Sequence, residues 1–464
     1  MLFNSFEFIL FFAVVYLLYR LLNHRLQNFM LLAASYLFYG AWDWRFLGLL
    51  LLTTAVDYAC GLFINQTEHK ISRKLILAVS ICVNLGILGF FKYFDFFSHS
   101  LCQLALSTGI RLDILTLKII LPVGISFYTF QSMSYAIDVY RRKLKAEKNF
   151  FDFALYVSFF PQLVAGPIER AVNLLPQIKA ERTVSAAQLD EGLWLIYLGF
   201  FKKVFVADNL ALIVNEVFAK TGIFPGGEAL TGVYAFAFQI YGDFAGYSDI
   251  ARGLAKLMGI ELMVNFKFPY FVDNPRDFWR NWHISLSTWL RDYLYIPLGG
   301  SRGSSIRTYL NIFVTMLLGG LWHGAAWHFV VWGAYCGMLL VAYRALGYKP
   351  VSRILSFAGV IFMFHLTCLG WLIFRAGSMA QAMSMLRNIL FHFSWSSDAG
   401  YYFLKMCFVV VPLLALLLVE KIKSDQLAVS KWPALPKWAL LLVMFYLIAM
   451  FGEFGGKEFI YFQF

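Results

Sequence analysis

Apolar residues in this chain run in long stretches instead of alternating with polar ones. The stretches recur near residues 6–22, 28–41, 46–64, 75–97, 117–137, 191–213, 229–250, 308–343, 354–374, 402–419 and 437–452. A helix needs about 20 apolar residues to cross the hydrocarbon of a bilayer, and the simple runs are close to that length. The 308–343 run reads as two short spans. The pattern predicts an all-α polytopic membrane protein with about eleven or twelve transmembrane helices. No soluble domain, low-complexity linker or internal repeat interrupts it, so residues 1–464 read as one integral-membrane domain. The first run lacks the basic flank and small-residue cleavage site of a signal peptide and reads as a retained span.

Two regions resist a simple helix. Residues 151–167 are apolar but contain Pro161 and end on Gly166-Pro167, while residues 262–300 mix aromatics, charges and prolines and end in Pro297-Leu-Gly-Gly300. Irregular backbone at membrane depth survives only where protein or a water-filled cavity satisfies it. Both regions are expected to be re-entrant or interfacial segments lining a cavity open to the cytoplasm.

Charge then fixes orientation. With the N-terminus outside, the inside loops hold Arg25, the Lys70–Lys74 cluster, the basic run from Arg141 to Lys148, the basic residues from Arg170 to Arg182, those from Arg252 to Arg307, those from Arg344 to Arg353 and four lysines from Lys421 to Lys437. The outside loops hold only Arg45, Arg111, Lys220, Arg375, Arg387 and Lys457. This asymmetry is the positive-inside rule, and it places both termini outside. The net charge of +12 therefore faces anionic lipid, and no nucleic acid is called for. Only 14% of residues are charged, against roughly 25% in soluble domains. The six cysteines show no CxxC spacing and fall mostly in apolar runs, so they read as small buried hydrophobes. No metal site is expected.

The least ordinary stretches each carry a histidine. Leu317-Leu-Gly-Gly-Leu-Trp-His-Gly-Ala-Ala-Trp327 places His323 inside an apolar run, behind two glycines that are expected to loosen the helix and admit another chain or a substrate. An ionisable residue at membrane depth is costly and marks function by default. A buried neutral imidazole suits a general base that takes a proton from a hydroxyl or thiol. The alternative is a core histidine bonded between helices. Asp277-Phe-Trp-Arg-Asn-Trp-His-Ile-Ser-Leu-Ser-Thr-Trp-Leu-Arg-Asp292 places His283 among charges and tryptophans. Here the functional reading is a second catalytic or donor-orienting group at the cytoplasmic mouth, with Arg280 and Arg291 suited to the phosphates of a nucleotide thioester. The plain reading is an amphipathic helix resting in the headgroups.

Asp243, in Tyr241-Gly-Asp-Phe-Ala-Gly-Tyr-Ser-Asp249, lies deep enough to need a partner. It orients a histidine or pairs with Arg252, and a structural role is preferred. Trp322 is given an orienting role beside His323. The C-terminal tail from Phe451 to Phe464 reads first as an aromatic belt anchor. Alternatively, Gly455-Gly456 lets it fold back into an external funnel, where Tyr461 receives an acyl group and passes it on. His328 is five residues from His323 and does not share its helix face.

The His283 stretch, continued from Arg276 to Gly300, together with Leu321-Trp-His-Gly-Ala-Ala-Trp327 resembles the membrane-bound O-acyltransferase (MBOAT) family. The nearest branch is the membrane subunits of bacterial alginate and peptidoglycan O-acetyltransferases. Tyr241–Asp249, Phe160-Pro-Gln-Leu-Val-Ala-Gly-Pro167, Gly370-Trp-Leu-Ile-Phe-Arg-Ala376 and Phe459-Ile-Tyr-Phe-Gln-Phe464 support the likeness. The resemblance implies a funnel-shaped helical bundle with a thin centre and a tunnel, His323 as the intramembrane catalytic histidine and His283 as the second polar position. It further implies acetyl-CoA as acyl donor from the cytoplasm, no metal, and a separate periplasmic partner with an esterase-like site that completes transfer to an exopolysaccharide or peptidoglycan. The location it implies is the bacterial inner membrane. Two rivals stay open: D-alanyl or other acyl transfer from a carrier protein, and a proton-coupled transporter or flippase whose histidines relay protons.

Overall fold

The apolar runs fold as helices, and no strand occurs among the described residues. The structure, a computed structural model, describes residues 1–111, 117, 119–164, 166–349, 352–455 and 459–460. Tyr461 and Gly456 lie outside them. Among the described residues five helical stretches are long and apolar enough to cross a membrane: His24–Gln66, Lys70–Ser107, Ile354–Arg375, Ser397–Lys423 and Ala434–Phe451. They turn large apolar side chains outward, such as Leu37, Leu104, Leu404 and Leu435, as a lipid-facing shell does.

Other expected spans take different forms. The first run and the 117–137 run give helices of 16 residues each, Phe6–Leu21 and Ile125–Tyr140. The 191–213 run is a helix to Phe200, a π-helical turn over Phe201–Ala207, and a new helix from Asp208. The 308–343 run gives two helices as expected, Ser305–His323 and Trp327–Ala345. The 151–167 segment breaks into Phe150–Ser158, buried from Phe153 onward, and the short turn Phe160–Leu163, buried throughout. A helix at Met379–Phe391 was not anticipated.

At the centre stands the 32-residue helix Gly226–Leu257, buried along almost its whole length. It packs against Ala186–Phe200 through two pairs of glycines. A Cβ on Gly199 would lie 2.6 Å from the Gly246 carbonyl oxygen, and one on Gly253 would lie 2.6 Å from that of Gly192. Both pairs repeat at a spacing of seven residues, close to two helical turns, so the backbones meet along one seam. Such close approach is how helices associate where lipid removes the hydrophobic drive between them.

A second cluster is polar. The buried Asp57 carboxylate accepts from Ser80 at 2.5 Å, from Asn84 at 3.0 and 2.9 Å, and from Ser132. These donors join three helices, and the group is satisfied by neutral partners without a cation.

The glycines before His323 do not loosen their helix, which continues through Gly319-Gly320 to His323. They serve packing instead. A Cβ on Gly320 would collide with the Phe329 carbonyl oxygen and stand 2.8 Å from the Cα of Gly333. Gly320→Ala is therefore expected to cost about 1–3 kcal/mol through overpacking, read as a lower thermal unfolding temperature in detergent. Activity should fall with it, because the displaced backbone carries the histidine three residues on.

Candidate active site

His323 is the last residue of its helix. The final carbonyls of a helix have no partner within it. Here a neighbouring element supplies partners. A π-helical turn over Gly89–Tyr93 aims Lys92 and Tyr93 at this end. The Lys92 ammonium donates to the carbonyls of Trp322 at 2.8 Å and His323 at 3.1 Å, and the Tyr93 hydroxyl donates to that of Leu321 at 2.8 Å. A cation at a helix C-terminus also complements the helix dipole. The sequence reading passed over Lys92, although a lysine within the apolar 75–97 run was a visible signal.

The His323 side chain is 5% exposed and lines the end of a cavity of about 1150 Å³. The walls are apolar and hydroxylic, including Leu286, Thr288, Leu290, Ile312, Thr315 and Met316. Towards the mouth the lining becomes basic, with Arg276, Arg280, Arg291, Arg344 and Lys349. These come from the segments that loop charge assigns to the cytoplasm. Arg280 pairs with Asp277 at 3.2 Å and Arg291 with Asp292 at 2.7 Å, with both guanidinium groups largely exposed. The cavity thus brings exposed cationic side chains and the buried histidine to one continuous space.

His283 does not line this cavity. It is fully buried, in the left-handed backbone region at φ 42° and ψ 56°, between the helices Pro275–Asn281 and Ile284–Leu290. A non-glycine residue there is strained and must be held. Asn265 holds it: its carbonyl accepts from the Ile284 N–H at 2.9 Å, and its side-chain oxygen accepts from the Ser285 N–H at 3.2 Å and the Ser285 hydroxyl at 2.7 Å. That hydroxyl proton is therefore committed. The same hydroxyl oxygen accepts from the Ile168 N–H at 3.0 Å and stands 3.5 Å from Nδ1 of His283. Nε2 is buried and has no hydrogen-bond partner among the described residues.

Aromatic rings join the two histidines. The Trp322 ring centre is 5.0 Å from that of His323 and 6.1 Å from that of His283. Phe244 stands edge-on to His283 at 4.5 Å. On its other side Phe244 meets Phe459, at 5.6 Å. The tail segment at Phe459 and Ile460 is buried, so here the chain folds back into the bundle and is not a surface anchor. The Ile460 N–H donates to the Asp243 carboxylate at 2.7 Å. Asp243 does not pair with Arg252, as the sequence suggested was possible. It pairs with Lys203 at 2.7 Å, and Lys203 also meets Asp208 at 2.9 Å. Arg252 turns to Asp249, which also binds Lys202 at 2.7 Å. The buried Lys202-Lys203 pair went unread although it interrupts an apolar run, the usual mark of a functional or organising charge in a membrane.

Residues 140–348 match the model of the MBOAT, membrane-bound O-acyltransferase family. A probable alginate O-acetylase of Pseudomonas aeruginosa is 45% identical over 399 residues, covering 85% of this chain and 76% of the relative. The chain belongs to the membrane-bound O-acyltransferase family. As an MBOAT protein it is a membrane-embedded acyltransferase, and both histidines and nearly the whole cavity lining lie in the matched region. A peptidoglycan O-acetyltransferase of Helicobacter pylori is 35% identical, over 78% of this chain and 73% of its own length. A teichoic acid D-alanyltransferase of Bacillus subtilis is 27% identical over 54% of this chain and 68% of its own.

Proposed function

We propose that this MBOAT protein is the membrane subunit of a polysaccharide O-acetyltransferase in a bacterial inner membrane. It takes an acetyl group from cytoplasmic acetyl-CoA and delivers it to the outer face, for an alginate-like exopolysaccharide or peptidoglycan. The observation that carries this reading is the cavity that begins among five cationic side chains and ends on a buried histidine. Arg280 and Arg291, with the other basic residues at the mouth, hold the donor phosphates. The thioester then lies beside His323.

His323 removes the proton of the attacking hydroxyl as its oxygen bonds to the carbonyl carbon. The tetrahedral intermediate collapses, the C–S bond breaks, and the imidazolium returns the proton to the departing thiolate. An ester and a thiol result, with no net proton gained or lost. His283, buried on the other side of Trp322 from His323, orients the acceptor hydroxyl. Asp243 and Trp322 fix the tail and the His323 helix. Tyr461 relays the acetyl group outward, a role supported by the buried docking of the two residues before it. A separate periplasmic partner with an esterase-like site completes the transfer, and both termini face it.

The test uses purified protein in nanodiscs and acetyl-CoA labelled on the acetyl group. Label transfer or thioester hydrolysis by wild type supports the reading, and label retained by wild type but not by Tyr461→Phe supports the relay. No turnover with acetyl-CoA, but turnover with an aminoacyl carrier protein, would replace acetyl with D-alanyl transfer. The donor contacts have their own signature. Arg280→Gln and Arg291→Gln are each expected to raise KM for acetyl-CoA by about 2–10-fold with kcat nearly unchanged, the modest effect of exposed charges. The increase should shrink at high salt, as steady-state kinetics at two ionic strengths would show.

A further inference from the structure

The cavity follows one face of the helix that carries His323. Ser305, Tyr309, Ile312, Met316, Gly319 and His323 recur at steps of three or four residues, and all of them line it. Such steps mark a single helix face. Gly319 is the last position of this helix to line the cavity before the histidine, about 6 Å away along the axis at 1.5 Å per residue. An acyl group held against His323 therefore shares its space with Gly319 and with whatever lies over that glycine.

Leu290 lies over it. Among the described residues a Cβ on Gly319 would meet one neighbouring atom, the Cδ1 methyl of Leu290, at 3.1 Å. Gly320 is different, because a Cβ there runs into the backbone of Phe329 and Gly333. The two glycines thus do separate work: Gly320 lets two helices meet, and Gly319 lets a leucine lie close against the cavity wall. Leu290 lines the same cavity. Its helix Ile284–Leu290 cannot retreat as a unit, since the adjacent Trp289 stacks on Phe130 at 3.9 Å between ring centres and donates to the Phe130 carbonyl at 2.9 Å. A side chain at position 319 would therefore turn the leucine methyl into the one open space it borders, the cavity.

We propose that the contact between Gly319 and Leu290 sets the size of the acyl group admitted to His323, so that acetyl fits and longer acyl chains are turned away; this rests on the acetyl-transfer reading above. The chemistry stays the same: the acyl carbon leaves sulfur for the acceptor oxygen, and the hydroxyl proton passes through His323 to the thiolate. The contact is apolar, so it selects by shape alone. In an apolar pocket one methylene more or less changes specificity by about 10–200-fold.

The test compares acetyl-, propionyl- and butyryl-CoA, each labelled on the acyl group, with purified protein in nanodiscs. Wild type should prefer acetyl to butyryl in kcat/KM. Leu290→Ala should shrink that preference by at least about 10-fold, mainly through a gain with butyryl-CoA; if it does not fold, Leu290→Val should shift the preference the same way. Gly319→Ala should lose more kcat/KM with propionyl-CoA than with acetyl-CoA, while its thermal unfolding temperature stays near that of wild type. Gly319→Ala/Leu290→Ala should recover the acetyl turnover lost in Gly319→Ala, because the displaced methyl is gone. A purely structural contact would not give that rescue or a change in acyl preference. Equal losses with all three donors and no rescue overturn the proposal, as does a wild type that uses butyryl-CoA as readily as acetyl-CoA. Wild type without turnover of any acyl-CoA would defeat the parent reading, and this one with it. Active wild type with the same acyl preference in every variant would defeat this inference alone.

Discussion

His323→Ala is expected to lower kcat for acyl transfer by about 10²–10⁴-fold, the usual contribution of a positioned acid–base group, and to leave the protein folded. His323 occupies the last position of its helix, where its carbonyl accepts from Lys92, a contact alanine keeps, while Tyr93 donates to the carbonyl of Leu321. The side chain meets mainly rings, those of Trp322, Trp332 and Phe374, at 5.0, 5.1 and 5.4 Å between centres. Truncation opens a small cavity at the end of a larger one. In the proposed reading the donor phosphates bind at the basic residues and not at His323, so KM for the donor should change little, and loss confined to kcat marks an interaction made in the transition state. Thioester turnover and the thermal unfolding temperature, measured on the same preparation, separate this from misfolding. A variant that retains more than about a tenth of wild-type kcat would remove His323 from the proton-transfer role.

His323 and the basic mouth were legible in the sequence for the same reason: a charge or imidazole inside apolar surroundings is rare enough to be read directly. Arg280 and Arg291 stand 11 residues apart in the chain, and both line the cavity that ends on His323. The depth of His283 was not legible. Its flanking charges suggested an interfacial helix, but the left-handed turn at His283, locked by Asn265, reverses the chain so that the charges point out and the imidazole points in. Such a reversal depends on contacts between residues 19 and 20 apart in sequence, which periodicity cannot show.

The helices were legible where apolar runs were long and were misjudged where they were interrupted. The π-helical turns at Gly89–Tyr93 and Phe201–Ala207 carry the half-buried Lys92 and the buried pair Lys202-Lys203 within runs that otherwise read as plain spans. An inserted residue in a helix redirects side chains, and such turns gather at functional sites. Here they redirect Lys92 to the His323 helix and Lys203 to Asp243. Hydropathy averages over a window and hides a single lysine inside it.

Lys203→Met is expected to be the most destabilising single substitution among these buried charges. Lys203 is 1% exposed and serves two carboxylates, Asp208 and Asp243. Removing the cation strands both in a low-dielectric interior, where breaking one buried pair already costs about 3–5 kcal/mol. Methionine fills nearly the same volume, so the loss would be electrostatic and not a cavity effect. Thermal unfolding in detergent should show a large drop or no recoverable folded protein. The triple variant Lys203→Met/Asp208→Asn/Asp243→Asn should regain most of it, because the desolvation penalty of the charges disappears with them. If the triple variant is no better than the single one, the lysine stem, not its charge, carries the stability. Asp243→Asn alone separates fold from tail. Lys203 keeps Asp208, and the amide oxygen still accepts from the Ile460 N–H, but as a neutral acceptor it holds that N–H less strongly. Hydrogen exchange at Ile460 should therefore rise while the central helix Gly226–Leu257 keeps its protection. Faster exchange in both would make Asp243 a general support of the bundle, and unchanged exchange at Ile460 would mean that the packing of Phe459 against Phe244 and Tyr247 holds the tail without it.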